Sequence, residues 1–574
     1  MTRNRHRSSI LQRKGIFLVL VLIVIAVATM AVYSFTELML AYDDSAHLTG
    51  DLVQARVNVE SATETIRLML AQPREMRMDF GGVYNNPQMF QAVQTYAGDD
   101  SVTPSNFSVI APALSTTGQY GGIRFGLQDE SARLNINTLI VLEENTQALS
   151  GLLALTGDGG DSEEEAVSDN IAVTLLLALP GMTEDIADAI LDWLDEDEEP
   201  RAYGAELEYY STLATPYEPT NGPLQSVEEL LLVRGVTPQL LFGADANRNG
   251  VIDPDEQQRF GITVDTPGAL GWASYLTVQG AEANRRDNGS PKVNVNKEDL
   301  ETLYEELLDA LGNDLYASYV IAFRYGGQST SAVSALAGAG GAAGGGGGGD
   351  QGGRGGGGGG GGGGGSARPG GIWSPDLMDQ LDLSAGAGTK LTQILDLVDS
   401  TVTIGNGENA TTYTSPFPGD PVSMSVYMPI LMDALTTQDS LVMPGRINVN
   451  ECSAELLYGI PLLSEEVIQS ILENRQQESD DPNRNYETWL LTEGLVTLEE
   501  MRLLVPLLSG GGDVYRAQIV GYYEQTGASH RSEVIIDATT VNPKIVSWRD
   551  LTHLGRGFDL SVLGLRSAAA ELIE

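Results

Sequence analysis

"IFLVLVLIVIAVATMAVYSF", residues 16–35, contains no charged side chain. As a helix it reaches across the roughly 30 Å hydrocarbon core of a bilayer. The preceding "MTRNRHRSSILQRKG" (1–15) carries Arg3, Arg5, Arg7, Arg13 and Lys14 without one acid, while Glu37, Asp43 and Asp44 follow on the other side. The positive-inside rule then puts residues 1–15 in the cytoplasm and the rest outside it, in a single pass. A cleaved secretory signal is the alternative, disfavoured by the long apolar run and the missing small-x-small end. Leu38, Met39, Tyr42, Leu48, Leu52, Ala55, Val59, Ala62, Ile66 and Met69 recur at helical intervals until Pro73. The spacing predicts a stalk helix continuous with the span over 16–72.

A chain of 574 residues is too long for one core. Its 33 Lys+Arg against 78 Asp+Glu give a net charge of -45, which repels phosphate backbones and favours cations or partners with basic faces. The single cysteine, Cys452, excludes an intramolecular disulfide and a multi-cysteine zinc site. His6, His47, His530 and His553 offer no ligand or triad spacing, so the composition points away from an enzyme.

Beyond the stalk, "NFSVIA" (106–111) and "GGIRFGLQDES" (121–131) read as strands. Near the end, "VYRAQIVGYYEQTGASHRSEVIIDATT" (514–540) alternates polar and apolar residues around a turn, and "KIVSWRDL" (544–551) offers a third strand. Between them "ARLNINT" (132–138), "PKVNVNK" (291–297) and "GRINVNE" (445–451) repeat an apolar-Asn-apolar-Asn theme associated with helix-turn-helix pattern. The order predicts an α+β chain: a pilin-like fold of long helix and antiparallel sheet, with a large helical domain inserted. Its parts are a leader (1–15), span and stalk (16–72), first part of the β head (73–131), inserted helical domain (132–327), Gly-rich linker (328–371), second helical unit (372–510) and C-terminal sheet (511–574). As a flexible tether the linker has an r.m.s. reach of roughly 35 Å.

The helical units resemble helix-hairpin-helix elements, many of which bind DNA backbone through a Gly-x-Gly hairpin. Here the hairpin Pro180-Gly181-Met182-Thr183 lacks the second Gly, and Asp188, Asp192, Asp195, Glu196, Asp197, Glu198 and Glu199 follow. Packing, not DNA binding, is the reading that fits.

"DANRNGVIDPDE" (245–256) has the spacing of a calcium loop. Asp245, Asn247, Asn249, Asp253 and Glu256 supply side-chain oxygens, Val251 a backbone carbonyl, and Gly250 the sharp turn. A metal-free acidic turn is the competing reading. Pro238 and Gly261 keep the flanking helices short, so the ion would be structural. Asp192, Asp195, Glu196, Asp197, Glu199 and Glu206 form a second acidic cluster that could hold another cation or stand as a solvated loop. Paired carboxylates for glycoside hydrolysis would fit the same residues, without any pocket signal to support them.

The basic leader ending in Lys14-Gly15, the span that starts at once and its amphipathic continuation together resemble the type IV prepilin-like N-terminus. That resemblance implies cleavage by a prepilin peptidase between Gly15 and Ile16, with methylation of the new amine. Most members carry Glu five residues after the cut; Leu20 stands there, a departure that resembles the K subunits of type II secretion. "LPGMTEDIADAILDWLDEDEEPRAYGAELEYYSTLATPYEPTNGPLQSVEELLLVRGVTPQLLFG" (179–243), together with "RLNIN", is similar to the general secretion pathway protein K family. The poly-Gly tract and the 243–260 loop look like additions to it. The resemblance implies a minor pseudopilin of the inner membrane that joins the I and J minor pseudopilins at a filament tip, and calcium associated with the helical domain. An extracytoplasmic calcium-binding scaffold or receptor held by an uncleaved signal anchor is the alternative.

Overall fold

The computed structural model describes residues 13–96, 104–143, 170–264, 266, 268–328, 368–405, 410–524 and 526–564. The first twelve residues of the leader, the acidic loop at 157–166 and most of the glycine tract lie outside them. Helix α1 (Arg13–Leu70) is 58 residues long, about 87 Å at 1.5 Å per residue. Its apolar first half is exposed throughout, and it alone among the described helices has the length and composition to cross a membrane. Burial begins at Ala55 and continues through Val59, Ala62, Ile66 and Met69, alternating steps of four and three. Leu38, Met39, Tyr42, Leu48 and Leu52 continue that stripe toward the N-terminus yet stay exposed, because the helix projects past the sheet it packs on.

That sheet has seven strands: β1 (Val93–Tyr96), β2 (Ser105–Leu114), β3 (Tyr120–Arg124), β4 (Gln128–Asp129), β5 (Val514–Tyr523), β6 (Ser529–Asp537) and β7 (Lys544–Asp550). The order is β1-β2-β5-β6-β7, with β3 beside β2 and β4 beside β5, and all pairings are antiparallel. The chain therefore leaves the sheet after Asp129 and re-enters it at Val514. Alternation along β5 separates its two faces. Tyr515, Ala517 and Ile519 join Val534, Ile536 and Phe107 under the stalk helix. Arg516, Gln518, Val520 and Tyr522 point the other way, toward the insert and the C-terminal segment. Gly521 sits where a Cβ would run into the backbone carbonyl of Ala55, so its missing side chain allows the helix to lie close.

The insert is built on a frame used three times, which accounts for the Asn-x-Asn repeat. Leu134–Asn135, Val293–Asn294 and Ile447–Asn448 each form a two-residue strand, paired in parallel with Leu276–Thr277, Leu435–Thr436 and Leu508–Ser509. In every copy the first Asn accepts the N–H of the second through its Oδ1, at 3.2, 2.8 and 2.9 Å. The second Asn ties a distant loop: Asn137 pairs with both backbone groups of Leu224, Asn296 with both of Leu391, and Asn450 donates to Arg484 and Gly510 carbonyls. The returning hydroxyls of Thr277, Thr436 and Ser509 each accept the N–H two residues on. These side chains satisfy loop backbone that a helical domain would otherwise bury unpaired.

Inside the frames lie the helix pairs Ile171–Leu177/Glu184–Leu194, Leu300–Leu311/Asp314–Gly326 and Ala454–Tyr458/Glu465–Asn474. Gly181 turns the first pair at φ +72°, and Leu462 takes the equivalent place after Pro461 at φ +74°.

Two expectations shift at their edges. The segment 372–510 is not purely helical: Thr401–Ile404 and Thr411–Thr414 pair as antiparallel strands, the alternating Thr residues favouring extended chain. Gly327–Gln328 and Arg368–Ile372 add to that sheet, so both ends of the span 328–371 are ordered strand rather than tether. At Gly370 the glycine is a packing requirement, since a Cβ would collide with Thr411 and Tyr413.

Candidate metal sites

The 245–256 loop is wedged between the insert and the outer face of the sheet. Thr237 caps the short helix before it, and Asp253 and Glu256 form a capping box on Pro254–Phe260 after it. Asp245, Asn249 and Glu256 are buried, while Asn247, Val251 and Asp253 are half-buried. Asp245 accepts the N–H groups of Asn249 (3.0 Å) and Gly250 (2.9 Å), the hydrogen bonds that fold the loop over its own first residue. Asn247 and Asn249 both donate their side-chain amides to Oδ2 of Asp253, at 2.7 and 2.9 Å. Glu256 accepts from the N–H groups of Ala246 (2.8 Å), Asn247 (3.2 Å) and Asp253 (3.1 Å).

The two Asn amides thus converge on Asp253, while Asp245 and Glu256 are turned to backbone N–H groups, and Gly250 turns at φ +81° as position six of such a loop requires. An ion would need the two Asn side chains to present oxygen instead of nitrogen and Glu256 to exchange backbone N–H groups for metal. Those are rotations of side chains already in place. Burial, reinforced by the charge of Glu256, pushes the Asp245 carboxyl up to about 7, a cost that a divalent cation would remove.

The second acidic cluster divides. Asp192, Asp195 and Glu206 bring one oxygen each within 4.8 Å of one another. Glu196, Asp197 and Glu199 remain exposed on the loop outside. Arg201, which the sequence reading passed over, lies against the trio: it pairs with Asp192 (2.8 Å), with Asp195 and with Glu143 (2.7 Å). Glu206 is 4% exposed, and neither carboxylate oxygen has a side-chain partner. Burial, then the charges of Asp192, Asp195 and Asp197, push its carboxyl up to about 7. Gly204 admits the Asp192 carboxylate where any Cβ would displace it. One guanidinium therefore offsets four carboxylates, a donor set suited to a hard divalent cation.

Gly15 and Ile16 lie within the first turns of α1, just before the exposed apolar segment that begins at Phe17. Arg531 and Gln518, reaching the 245–256 loop from β6 and β5, carried no local sequence signal, since their partners are backbone carbonyls more than 250 residues away.

Residues 132–242 match the family model of type II secretion system (T2SS), protein K. About a fifth of the chain is thus similar to that family. The matched span includes the first frame strand, the helix pair 171–194 and the Asp192–Glu206 cluster, and it ends just before the 245–256 loop. Among solved structures, a chain of "The Crystal Structure of the GspK-GspI-GspJ complex from enterotoxigenic Escherichia coli Type 2 Secretion System" aligns with 10% identity over 88% of this chain and 98% of that one, at a TM-score of 0.26. At that score the likeness carries no argument about the fold, which rests on the strand order and helix packing themselves. No curated protein matches. The family match takes in the opening strand and the helix pair of the first frame but not its closing strand Leu276–Thr277, and it leaves the Gly-rich tract and the 245–256 loop outside.

Proposed function

We propose that this protein is a minor pseudopilin of type II secretion, held in the inner membrane by α1 with the bulk of the chain outside the cytoplasm. The observation that carries the reading is the segment matching protein K, inserted in an antiparallel sheet that packs on Ala55 to Leu70, the last turns of a helix whose first half is apolar and exposed. A helix of this kind needs lipid around its first half and neighbouring subunits around its middle, where Leu38 to Leu52 leave an unburied stripe. The sheet and helix form a pilin-like head, and the helix pairs act as helix-hairpin-helix-like packing modules. In this reading the protein sits at the tip of a pseudopilus with the I and J minor pseudopilins, nucleates assembly and supports export of folded proteins. It performs no catalysis. Calcium, held by Asp245, Asn247, Asn249, Val251, Asp253 and Glu256, is a structural ion, and the Asp192, Asp195 and Glu206 trio is a second place for one.

The mature N-terminus tests this directly. Mass spectrometry of protein from native membranes is expected to find a chain beginning at N-methylated Ile16, and Gly15→Ala is expected to leave it unprocessed and secretion abolished. A native chain starting at residue 1 or 2, with normal secretion by the variant, would replace the pseudopilin reading with that of a signal-anchored scaffold.

A further inference from the structure

Five contacts reach the 245–256 loop from the sheet and the segment after it, all made with the loop's first half. Arg531, fully buried on β6, donates Nη2 to the carbonyls of Asn247 (2.6 Å) and Arg248 (2.8 Å). Gln518 on β5 donates Nε2 to the same Arg248 carbonyl (2.9 Å). Asn249 donates its amide to the carbonyl of Gly557 (2.7 Å), in the segment after β7, and the Gly250 turn lies against Pro112 of β2. Arg248 is held at φ +55°, a left-handed conformation that disfavours any residue but glycine. It is secured by the two donors on its carbonyl and by an ion pair with Glu228 at 3.5 Å. The conformation that folds Asp245 and Asn247 onto the N–H of Asn249 thus depends on groups that the loop does not own. Outer contacts of this kind set how well first-layer ligands are oriented.

Resting on the calcium reading of the loop, we propose that it is a clasp between insert and sheet. Ion binding and docking of the two are coupled, with Arg531 and Gln518 as positioning residues. By reciprocity, an ion that holds the loop tightens the sheet contacts, and loss of those contacts weakens the ion by the same factor. The Asn249 side chain is the link: its amide nitrogen bonds Asp253 inside the loop and Gly557 beyond it.

Hydrogen exchange on the full-length protein in detergent, with calcium chloride against chelator and against magnesium, tests the coupling. Calcium is expected to slow exchange at 245–256 and, beyond the loop, at 530–532 and 556–558. Protection confined to 245–256 would leave the ion site standing and overturn the clasp. No calcium-dependent protection anywhere would overturn the ion site and the clasp with it. Chelator competition gives the second readout: Arg531→Met and the milder Gln518→Ala are each expected to weaken calcium binding, by about tenfold for the arginine. Arg531→Lys should recover part of that loss. Unchanged affinity in a folded Gln518→Ala protein that also keeps wild-type protection at 530–532 would overturn the coupling even if Arg531→Met fails to fold.

Discussion

Glu130 and Arg516 are 386 residues apart in sequence and meet at 2.6 Å, one just past the point where the chain leaves the sheet and the other just past the point where it returns. Glu130 also accepts from Thr277, so this one carboxylate joins the sheet to the first frame of the insert. Burial alone would raise its pKa, but the charges of Arg516 and Arg133 prevail and hold it at about 2. Its contribution is complete above the ordinary value of 4.5 and disappears as pH falls toward 2, about 3 kcal/mol for a shift of that size. Glu130→Gln, which leaves the half-buried Arg516 guanidinium with Glu533 alone, should cost about 3 kcal/mol at neutral pH. Thermal melts between pH 7 and pH 2 should show the difference between wild type and variant shrinking on the acid side; a constant difference would mean that the pair contributes shape and not charge.

Gly521→Ala places a methyl group against the Ala55 carbonyl and should push the stalk helix off the sheet, destabilising the head by about 1–3 kcal/mol. Gly511→Ala, with open space around its Cβ position, is the control. Equal melting temperatures for the two variants would contradict the close approach.

Glu256→Ala removes the twelfth position of the 245–256 loop and three hydrogen bonds to its backbone. It is expected to lower the melting temperature and abolish the increase produced by calcium. If wild type itself melts identically with calcium and with chelator, the loop is a capped turn and no more.

Glu206 behaves in the opposite sense to Glu130. Its carboxyl, raised to about 7, is protonated in the folded chain at pH values where the unfolded chain has already ionised. Stability from this group therefore falls as pH climbs from about 4.5 to 7. Glu206→Gln is expected to stabilise the protein at pH 8 in chelator and to lower whatever stabilisation calcium adds. A variant that is less stable than wild type in chelator would show that the ionised carboxylate is held by something other than a metal.

Much of this could be read from local pattern. The span, the stalk, the strands at both ends and the Asn-x-Asn repeat each leave a periodic or repeated signature within a few residues. The 245–256 spacing is equally local. What escaped reading is carried by partners far apart. Leu276–Thr277, Leu435–Thr436 and Leu508–Ser509 close the three frames, but a two-residue strand has too little pattern to declare itself. The first and third hairpins share a legible helix-turn-helix pattern, although Leu462 occupies the left-handed position that Gly181 holds in the first. Arg201 reads as one more charge in an acidic run until folding brings Glu143 alongside. Gly370 looked like part of a featureless tract because glycine serves both freedom and close approach, and only the neighbouring Thr411 and Tyr413 distinguish the two.

The split of the sheet also imposes an order of events. β2 finds its neighbour β5 some four hundred residues later, so the surface that receives Ala55 to Met69 cannot exist until the last tenth of the polypeptide has emerged. Pairings across such separations are slow to form, because loop closure precedes any reward. The frames of the insert close over shorter separations and can fold first, shortening the effective loop before the sheet is attempted. A stalk without its sheet leaves Ala55 to Met69 uncovered, and chain connectivity thus works as a timer: a newly made chain completes its sheet only after the whole insert has been delivered.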